Sequence, residues 1–167
     1  MAGTEQKPKL LGAGAAALLI IVGGTFIVYQ MFGARTSGAG PVPKSAFYTD
    51  DNGKSFFRDD IDKASPFDHG GKQAFRCDVF EGANGKQFVG LVYRFTDSGR
   101  REFEAYLPTR SKDTDGSTRR GIEERGTRVK AVADPESAWA INDEVTRSHL
   151  QNAVKDSAGK PATLVNP

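Results

Sequence analysis

The stretch QAFRCDVFEGANGKQFVGLVYRF, residues 73–95 of this 167-residue chain, decides the fold. Residues 73–80 alternate between apolar and polar side chains, which is typical of a strand with one buried face. Residues 87–95 are rich in β-branched and aromatic side chains and predict a second strand. Asn84-Gly85 lies between them, and this pair tolerates the positive φ that a tight turn needs. The stretch therefore predicts an antiparallel hairpin.

Similar patterns flank this hairpin. Upstream, an Asn-Gly turn separates two segments that contain aromatic side chains, residues 46–49 and 55–58. Downstream, residues 99–107 carry Phe, Tyr and Leu at helical spacing, so that a short helix would face the sheet. These patterns predict an α+β fold, with a small antiparallel sheet and one or two short packed helices, in a domain over residues 46–108.

The C-terminal third divides into two parts. Residues 109–128 have almost no apolar side chains and many charges, a composition that predicts a charged mobile loop. Residues 129–167 regain apolar content and predict a strand, a helix that starts at Asn142 or Asp143, and an edge strand in the tail. We expect this extension to pack on the domain, with Trp139 as a core or domain-closing contact rather than a ligand platform.

The N-terminal region holds the longest apolar run of the chain, and no charge lies between Lys9 and Arg35. A helix of those 25 uncharged residues would be roughly 37 Å long, enough for the ~30 Å hydrocarbon core of a bilayer. We therefore expect a transmembrane helix over residues 10–32, preceded by a short cytoplasmic N-terminus, residues 1–9.

The residues that flank this span indicate its topology. Lys7 and Lys9 precede it, whereas Arg35 and Lys44 follow it. This slight bias favours a cytoplasmic N-terminus and a C-terminal domain outside the cytoplasm. Residues 33–45 are rich in Gly and Pro and predict a flexible linker between the membrane and the domain.

Two alternatives concern the same segment. Small residues at Ser37-Gly38-Ala39 would suit cleavage of a signal peptide. The apolar core of such peptides is ordinarily ~7–15 residues, which is shorter than this run and favours a retained anchor. Small residues four positions apart, such as Gly12 and Ala16, would also permit two copies of the helix to dimerise.

Composition and motifs exclude several functional classes. The net charge is +2, so nothing indicates a nucleic-acid-binding protein. Cys77 is the only cysteine, which rules out an internal disulfide, a CxxC pair and a cysteine-rich zinc site within the chain. The motifs GxSxG, HExxH, GxGxxG and GxxxxGK[ST] are missing from the sequence. No cofactor is therefore predicted, and an enzyme is not favoured.

Residues 50–69 hold the candidate metal ligands of the chain. An EF-hand loop that starts at Asp50 would need a ligand at its fifth position and Gly at its sixth, where the chain has Lys54 and Ser55. A looser calcium-like site, or a hydrolytic site, is the alternative to a set of turn and cap residues. The candidates are Asp50, Asp59, Asp60, Asp62, Asp68 and His69.

A second candidate set lies in the predicted loop over residues 109–128. Its arginines would suit an anionic partner, such as a lipid headgroup. Acidic residues are interleaved with them and no aromatic residue accompanies them, which favours a solvated loop instead. The candidates are Arg119, Arg120, Arg125 and Arg128.

FYTDDNGKSFFRDD, from residue 47, and PFDHGGKQAFRCDVF, from residue 66, together suggest a family. They resemble a group of small uncharacterised bacterial proteins that share a single N-terminal transmembrane helix and an FYT-x(3)-GK / PFDH-x-GK segment. The resemblance covers about residues 46–94, and Ser65 stands where the pattern often has a second proline. It implies an anchored domain in a bacterial envelope and names no catalytic residue.

These observations favour a membrane-anchored, non-enzymatic domain that acts as a binding or structural module at the bacterial cell envelope. Residues 10–32 would place it in the inner membrane. The expected contacts are the lipid bilayer and another envelope protein. The alternative is a metal-binding, calcium-like or hydrolytic module that uses the acidic segment, residues 50–69.

Overall fold

The structure is a computed structural model that describes residues 43–134 and 138–167. The predicted cytoplasmic N-terminus, the predicted transmembrane helix and most of the predicted linker lie outside the described residues. Within the two described ranges, no helix is both long and apolar enough to cross a membrane.

Eight strands in the described ranges form an antiparallel sheet with the predicted hairpin at its centre. They are β1 (Ser45–Thr49), β2 (Phe57–Asp60), β3 (Phe67–His69), β4 (Lys72–Glu81), β5 (Gln87–Phe95), β6 (Thr127–Ala131), β7 (Ala140–Ile141) and β8 (Thr163–Val165). The order across the sheet is β2-β1-β4-β5-β6-β7. The short β3 and β8 also pair with β4, before and after β1 along its length.

The central hairpin contains a β-bulge. Asp78 pairs with Leu91 and Val79 pairs with Val89, so Gly90 is the extra residue in β5. A Cβ atom at this position would lie 2.6 Å from a ring carbon of Phe80, so the close approach of the ring requires glycine.

Three α-helices and one 3₁₀ helix accompany the sheet in the described residues. They are α1 (Asp97–Tyr106), the 3₁₀ helix (Leu107–Lys112), α2 (Ser117–Gly126) and α3 (Glu144–Ala153). Asp143 is the N-cap of α3, because its Oδ1 accepts a hydrogen bond of 2.7 Å from the backbone N–H of Thr146. The predicted antiparallel α+β fold is confirmed, and so is the helix that starts after Asp143.

The prediction of a charged loop over residues 109–128 is wrong. The 3₁₀ helix, α2 and the first residues of β6 occupy this segment. Asp113 helps α2 to begin, since its two carboxylate oxygens accept hydrogen bonds from the backbone N–H groups of Thr118 and Arg119. Composition predicted a loop because the segment offers the core one large apolar side chain, the buried Ile122.

The sheet also extends further along the chain than the predicted domain over residues 46–108. β6 pairs with β5 over its whole length, from Thr127 opposite Phe95 to Ala131 opposite Leu91. β8 pairs with the end of β4. The C-terminal extension therefore contributes strands to the same sheet rather than only packing on it.

The two faces of the sheet carry separate core clusters. One face holds Phe47, Cys77, Val79, Val89 and Val92. Trp139 packs on this cluster, and its ring lies 6.2 Å from that of Phe75, so the expected core contact of Trp139 is confirmed. The other face holds Phe80, Leu91, Tyr93 and Val129, and Leu150 of α3 packs on it.

Helices α1 and α2 approach each other at two glycines. A Cβ atom at Gly99 would lie 2.2 Å from the carbonyl oxygen of Gly126, a distance that no real contact reaches. The backbones of the two helices are therefore in direct contact. This contact sets the position of α2, which carries the charged residues described below.

We predict that Gly99→Ala lowers the free energy of unfolding of the full chain by about 1–3 kcal/mol, because the added methyl group would overlap rigid backbone. Gly121→Ala in α2 is the matched control. Its Cβ would meet only the flexible end of Arg125, at 3.1 Å, so it should stabilise the helix by roughly 0.5–1 kcal/mol. Equal effects of the two substitutions in chemical denaturation would contradict the close helix contact.

Candidate functional site

The Arg119 side chain is buried and donates only to groups within the protein. Its Nε lies 2.9 Å from Oε1 of Glu123, and its Nη1 lies 2.7 Å from Oδ1 of Asp62. Its Nη2 donates to the carbonyl oxygen of Ile61. The guanidinium also lies 4.9 Å from the centre of the Phe103 ring. All three nitrogens are thus engaged, and the residue is 5% exposed.

Further charges extend this contact into a network of alternating sign. Nε of Arg110 forms an ion pair with Oδ2 of Asp62, at 2.9 Å, and Glu123 accepts a hydrogen bond from Nη1 of Arg76, at 2.8 Å. Burial alone would raise the pKa of the Glu123 carboxyl, but the Arg76 and Arg119 guanidinium groups hold it below its ordinary value. Glu123 is therefore a carboxylate at neutral pH and links Arg119 to the sheet.

A small polar cavity lies beside Arg76, between the sheet, α2 and α3. Its volume is about 100 Å³. Charged and polar side chains form most of its wall, in contrast to the predominantly apolar wall of a common ligand pocket. We call it the Arg76 cavity, and it is lined by Arg76, Asp78, Tyr93, Glu123, Asn142, Arg147 and Gln151, among others.

Asp78 is held in place from two sides. Its Oδ2 accepts hydrogen bonds from Oη of Tyr93, at 2.6 Å, and from Nε2 of Gln151, at 2.9 Å. Burial, together with the Asp78 carboxylate, raises the pKa of Tyr93 well above its ordinary value. The phenol therefore stays protonated and donates to Asp78.

Asn142 has a buried oxygen without a hydrogen-bond partner. Its Nδ2 donates to Oγ1 of Thr127, at 2.8 Å, and that hydroxyl in turn donates to the carbonyl oxygen of Glu123, at 2.6 Å. The Thr127 hydroxyl has a single proton, so it must accept from Asn142, and this fixes the orientation of the amide. Among the buried side-chain nitrogen and oxygen atoms of the described ranges, Oδ1 of Asn142 is the one without a hydrogen-bond partner. Burying an acceptor without a hydrogen bond lowers the free energy of unfolding by about 1–3 kcal/mol.

The structure does not bring the six candidate metal ligands together. His69 lies 2.8 Å from Asp50 and stacks on the ring of Phe57, and Asp59 forms an ion pair with Lys63 at 2.6 Å. Asp62 belongs to the Arg119 network. Within residues 43–134 and 138–167, no group of three or more His, Cys, Asp or Glu side chains is arranged to hold a metal ion.

The other acidic candidates have the turn and cap contacts that the sequence suggested. Oδ1 of Asp60 accepts from the backbone N–H of Asp62, at 2.8 Å. Oδ1 of Asp68 accepts from the backbone N–H of Gly71, at 3.4 Å, in the turn that enters β4.

The four candidate arginines do not converge on one surface site. Arg119, a candidate for an anionic partner in the alternative that the sequence disfavoured, is committed to internal carboxylates. The other three have separate contacts: Arg120 with the carbonyl of Asp115, Arg125 with Glu102, and Arg128 with the carbonyl of Thr127.

Sequence reasoning missed the Arg76 cavity. One signal was present: Arg76 and Asp78 alternate with apolar residues in a central strand, which places two charges on the face that the helices cover. The partners that complete the cavity, Glu123, Asn142 and Gln151, lie 45 or more positions away in the sequence. No local pattern connects them.

Comparison with known proteins gives no match: no family model, curated protein or solved structure is significantly similar to the chain. The resemblance to small bacterial membrane proteins stays a prediction. The function is therefore inferred from the residues of the Arg76 cavity and from the sequence.

We predict that Arg119→Met lowers the free energy of unfolding by about 3 kcal/mol or more, because Asp62 and Glu123 would lose their shared partner. Arg120→Met removes the same charge one position later, where the side chain makes one exposed contact to a carbonyl oxygen. This control should change stability by about 0.5 kcal/mol or less. A similar small effect of both variants in chemical denaturation would contradict the network.

We also predict that the difference in free energy of unfolding between the wild type and Glu123→Gln depends on pH. The folded-state pKa of Glu123 is below its ordinary value of 4.5, so its contribution is present above that value and is lost as pH falls through the lower folded-state pKa. The wild type should exceed the variant in stability at pH 7, and the gap should narrow below about pH 4.5. Glu104→Gln, at an exposed site on α1, is the control, and its stability should differ little from that of the wild type at any pH. A stability difference for Glu123→Gln that stays constant with pH would refute the ion pairing.

Proposed function

We propose that this chain is a membrane-anchored, non-enzymatic binding module at the bacterial cell envelope. Residues 10–32 would hold it in the inner membrane, with the folded domain outside the cytoplasm and another envelope protein among its contacts. The apolar run, the Gly- and Pro-rich linker and the slight charge bias support the anchor and its orientation.

The observation that carries the binding role is the Arg76 cavity, whose charged and polar lining includes Asn142, a residue with a buried and unpartnered side-chain oxygen. Buried polar atoms in folded proteins nearly always have partners, so an exception points to a group that binds there.

The hydroxyl groups of the cavity support binding rather than a reaction. Oγ of Ser65 donates to the carbonyl oxygen of Tyr93, at 2.7 Å, and accepts from the backbone N–H of Arg76. The Thr127 and Tyr93 hydroxyls donate to Glu123 and Asp78. Burial also raises the pKa of the Cys77 thiol above its ordinary range, and Cys77 lies in the cluster on the other face of the sheet. These groups are engaged or protonated, which makes them poor nucleophiles.

Two exposed apolar side chains support a protein contact close to the cavity. Ile141 and Val145 are 55% and 80% exposed, and they flank Asn142 and the N-cap of α3 in the sequence. Large exposed apolar residues beside a binding cavity would suit a partner that covers its mouth.

We predict that the full chain, purified gently from its own membranes, retains a bound molecule or a partner protein in native mass spectrometry. Asp78→Asn should lose it, because the carboxylate charge at the cavity is removed, whereas Asp68→Asn, at an exposed position of β3, should keep it. Deletion of residues 10–32 should release the chain from the membrane fraction. A wild-type chain that carries neither ligand nor partner, or that is soluble without the deletion, would contradict the proposal.

A further inference from the structure

A second cleft lies on the face of the sheet that points away from the Arg76 cavity. Neighbouring residues of a strand point to opposite faces, so Phe75 and Arg76 lie on different sides of β4. The volume of this cleft is about 360 Å³, within the range of roughly 300–1,000 Å³ that small-molecule sites occupy. We call it the Trp139 cleft, and it is lined by Phe75, Val92, Arg94, Lys130, Val132 and Trp139, among others.

Part of the wall of the Trp139 cleft is apolar. Val92 belongs to the core cluster on this face of the sheet. Phe75, Val132 and Trp139 are only partly buried and pack against that cluster, so each keeps some apolar surface in contact with solvent. A ligand that covers this surface removes it from water, which favours the binding of an apolar group.

Arg94 brings a guanidinium group to the same cleft. Its side chain is exposed, and its Cζ lies over the ring of Trp139, 4.4 Å from the ring centre. In the described part of the chain, this guanidinium has a ring contact and no carboxylate partner. A guanidinium held against an aromatic ring keeps its N–H donors available, and they match the two oxygens of a carboxylate.

Arg94 also faces a like charge across the sheet. It pairs directly with Arg128 of β6, so the two side chains lie on the same face. Among the described residues, Arg128 has no carboxylate partner either, and its Nη1 donates to the carbonyl oxygen of Thr127, at 2.9 Å. Like charges directly opposite each other destabilise an antiparallel pair. An anion beside Arg94 would offset this repulsion.

The charges that line the Trp139 cleft have a single sign. Nζ of Lys130 lies 5.3 Å from the centre of the Trp139 ring, so two cations lie at one ring. No acidic side chain is among the described residues that line the cleft. The Arg76 cavity differs, because the carboxylates of Asp78 and Glu123 line it as well. The Trp139 cleft therefore favours an anionic ligand.

We propose that the Trp139 cleft is a second binding site, for an organic anion in which a carboxylate is joined to an apolar group. The carboxylate pairs with the guanidinium of Arg94, and the apolar group lies against Phe75, Val92 and Val132. This site is additional to the Arg76 cavity and goes beyond the proposed function, which does not depend on it.

The fluorescence of Trp139 reports on this cleft directly, because Trp139 is the only tryptophan of the chain. The full chain in detergent is titrated with phenylacetate, with phenylacetamide as the uncharged analogue and with acetate as the carboxylate without a ring. Phenylacetate should change the emission of Trp139 in a saturable way. The other two probes should bind at least about tenfold more weakly, because each lacks one of the two groups that the cleft contacts.

Arg94→Gln separates binding from structure. We expect it to weaken phenylacetate binding by about tenfold or more, because the charge-assisted hydrogen bonds to the carboxylate are lost. The melting temperature without ligand should change little, because the lost contact with the Trp139 ring and the relieved repulsion from Arg128 oppose each other. Arg101→Gln, at an exposed position of α1, removes the same charge outside the cleft and should leave both quantities unchanged.

Several results would overturn the assignment. Phenylacetamide binding as tightly as phenylacetate would show that the charge is not recognised, and acetate binding as tightly would show that the apolar wall is not used. Both comparisons use the wild type, so they hold even if Arg94→Gln does not fold. Wild-type affinity in a folded Arg94→Gln variant would exclude the carboxylate contact, and no saturable change with any probe at millimolar concentration would remove the site.

None of these results bears on the proposed function. The molecule that the purified chain retains is tested through Asp78→Asn, on the other face of the sheet from the Trp139 cleft. A chain that fails the phenylacetate titration and still loses its retained molecule in Asp78→Asn would overturn this inference alone.

Discussion

The buried guanidinium of Arg119 is the contact on which the rest of this structure depends. It joins the end of β2, through Ile61 and Asp62, to Glu123 one turn further along α2. A charged group of this kind is stable inside a protein only when each of its donors is paired. The pairing explains how a segment with so few apolar residues forms a helix: its charges are neutralised by partners elsewhere in the chain.

The same contact connects the fold to the candidate site. Glu123 shares one carboxylate oxygen between Arg119 and Arg76, so the position of Arg76 in the cavity depends on a side chain that lies outside the cavity lining. The close backbone contact of Gly99 and Gly126 then holds α2 against α1. Fold and site therefore use one set of interactions, and the site is preorganised by residues that would not touch a ligand.

The sequence predicted the parts of the structure that depend on residues close together in the chain. The hairpin of β4 and β5 followed from a period of two and an Asn-Gly pair, and the start of α3 followed from an acidic cap at Asp143, because both depend on neighbours within a few positions. The charged segment was mistaken for a loop because composition does not reveal distant partners. Arg76 and Glu123 are 47 positions apart, and Asp78 and Gln151 are 73 apart. The cavity could not be predicted for the same reason, since it exists only after these distant residues meet.

Amide hydrogen exchange of the full chain tests most directly whether the charged segment folds as part of the domain. If Arg119 anchors α2 as described, the amides of residues 120–126 should exchange as slowly as those of β4, because helix and sheet would open together. Exchange of these amides at the rate of an unstructured loop, while β4 remains protected, would contradict the account. The network that positions Arg76 would then be lost with the helix.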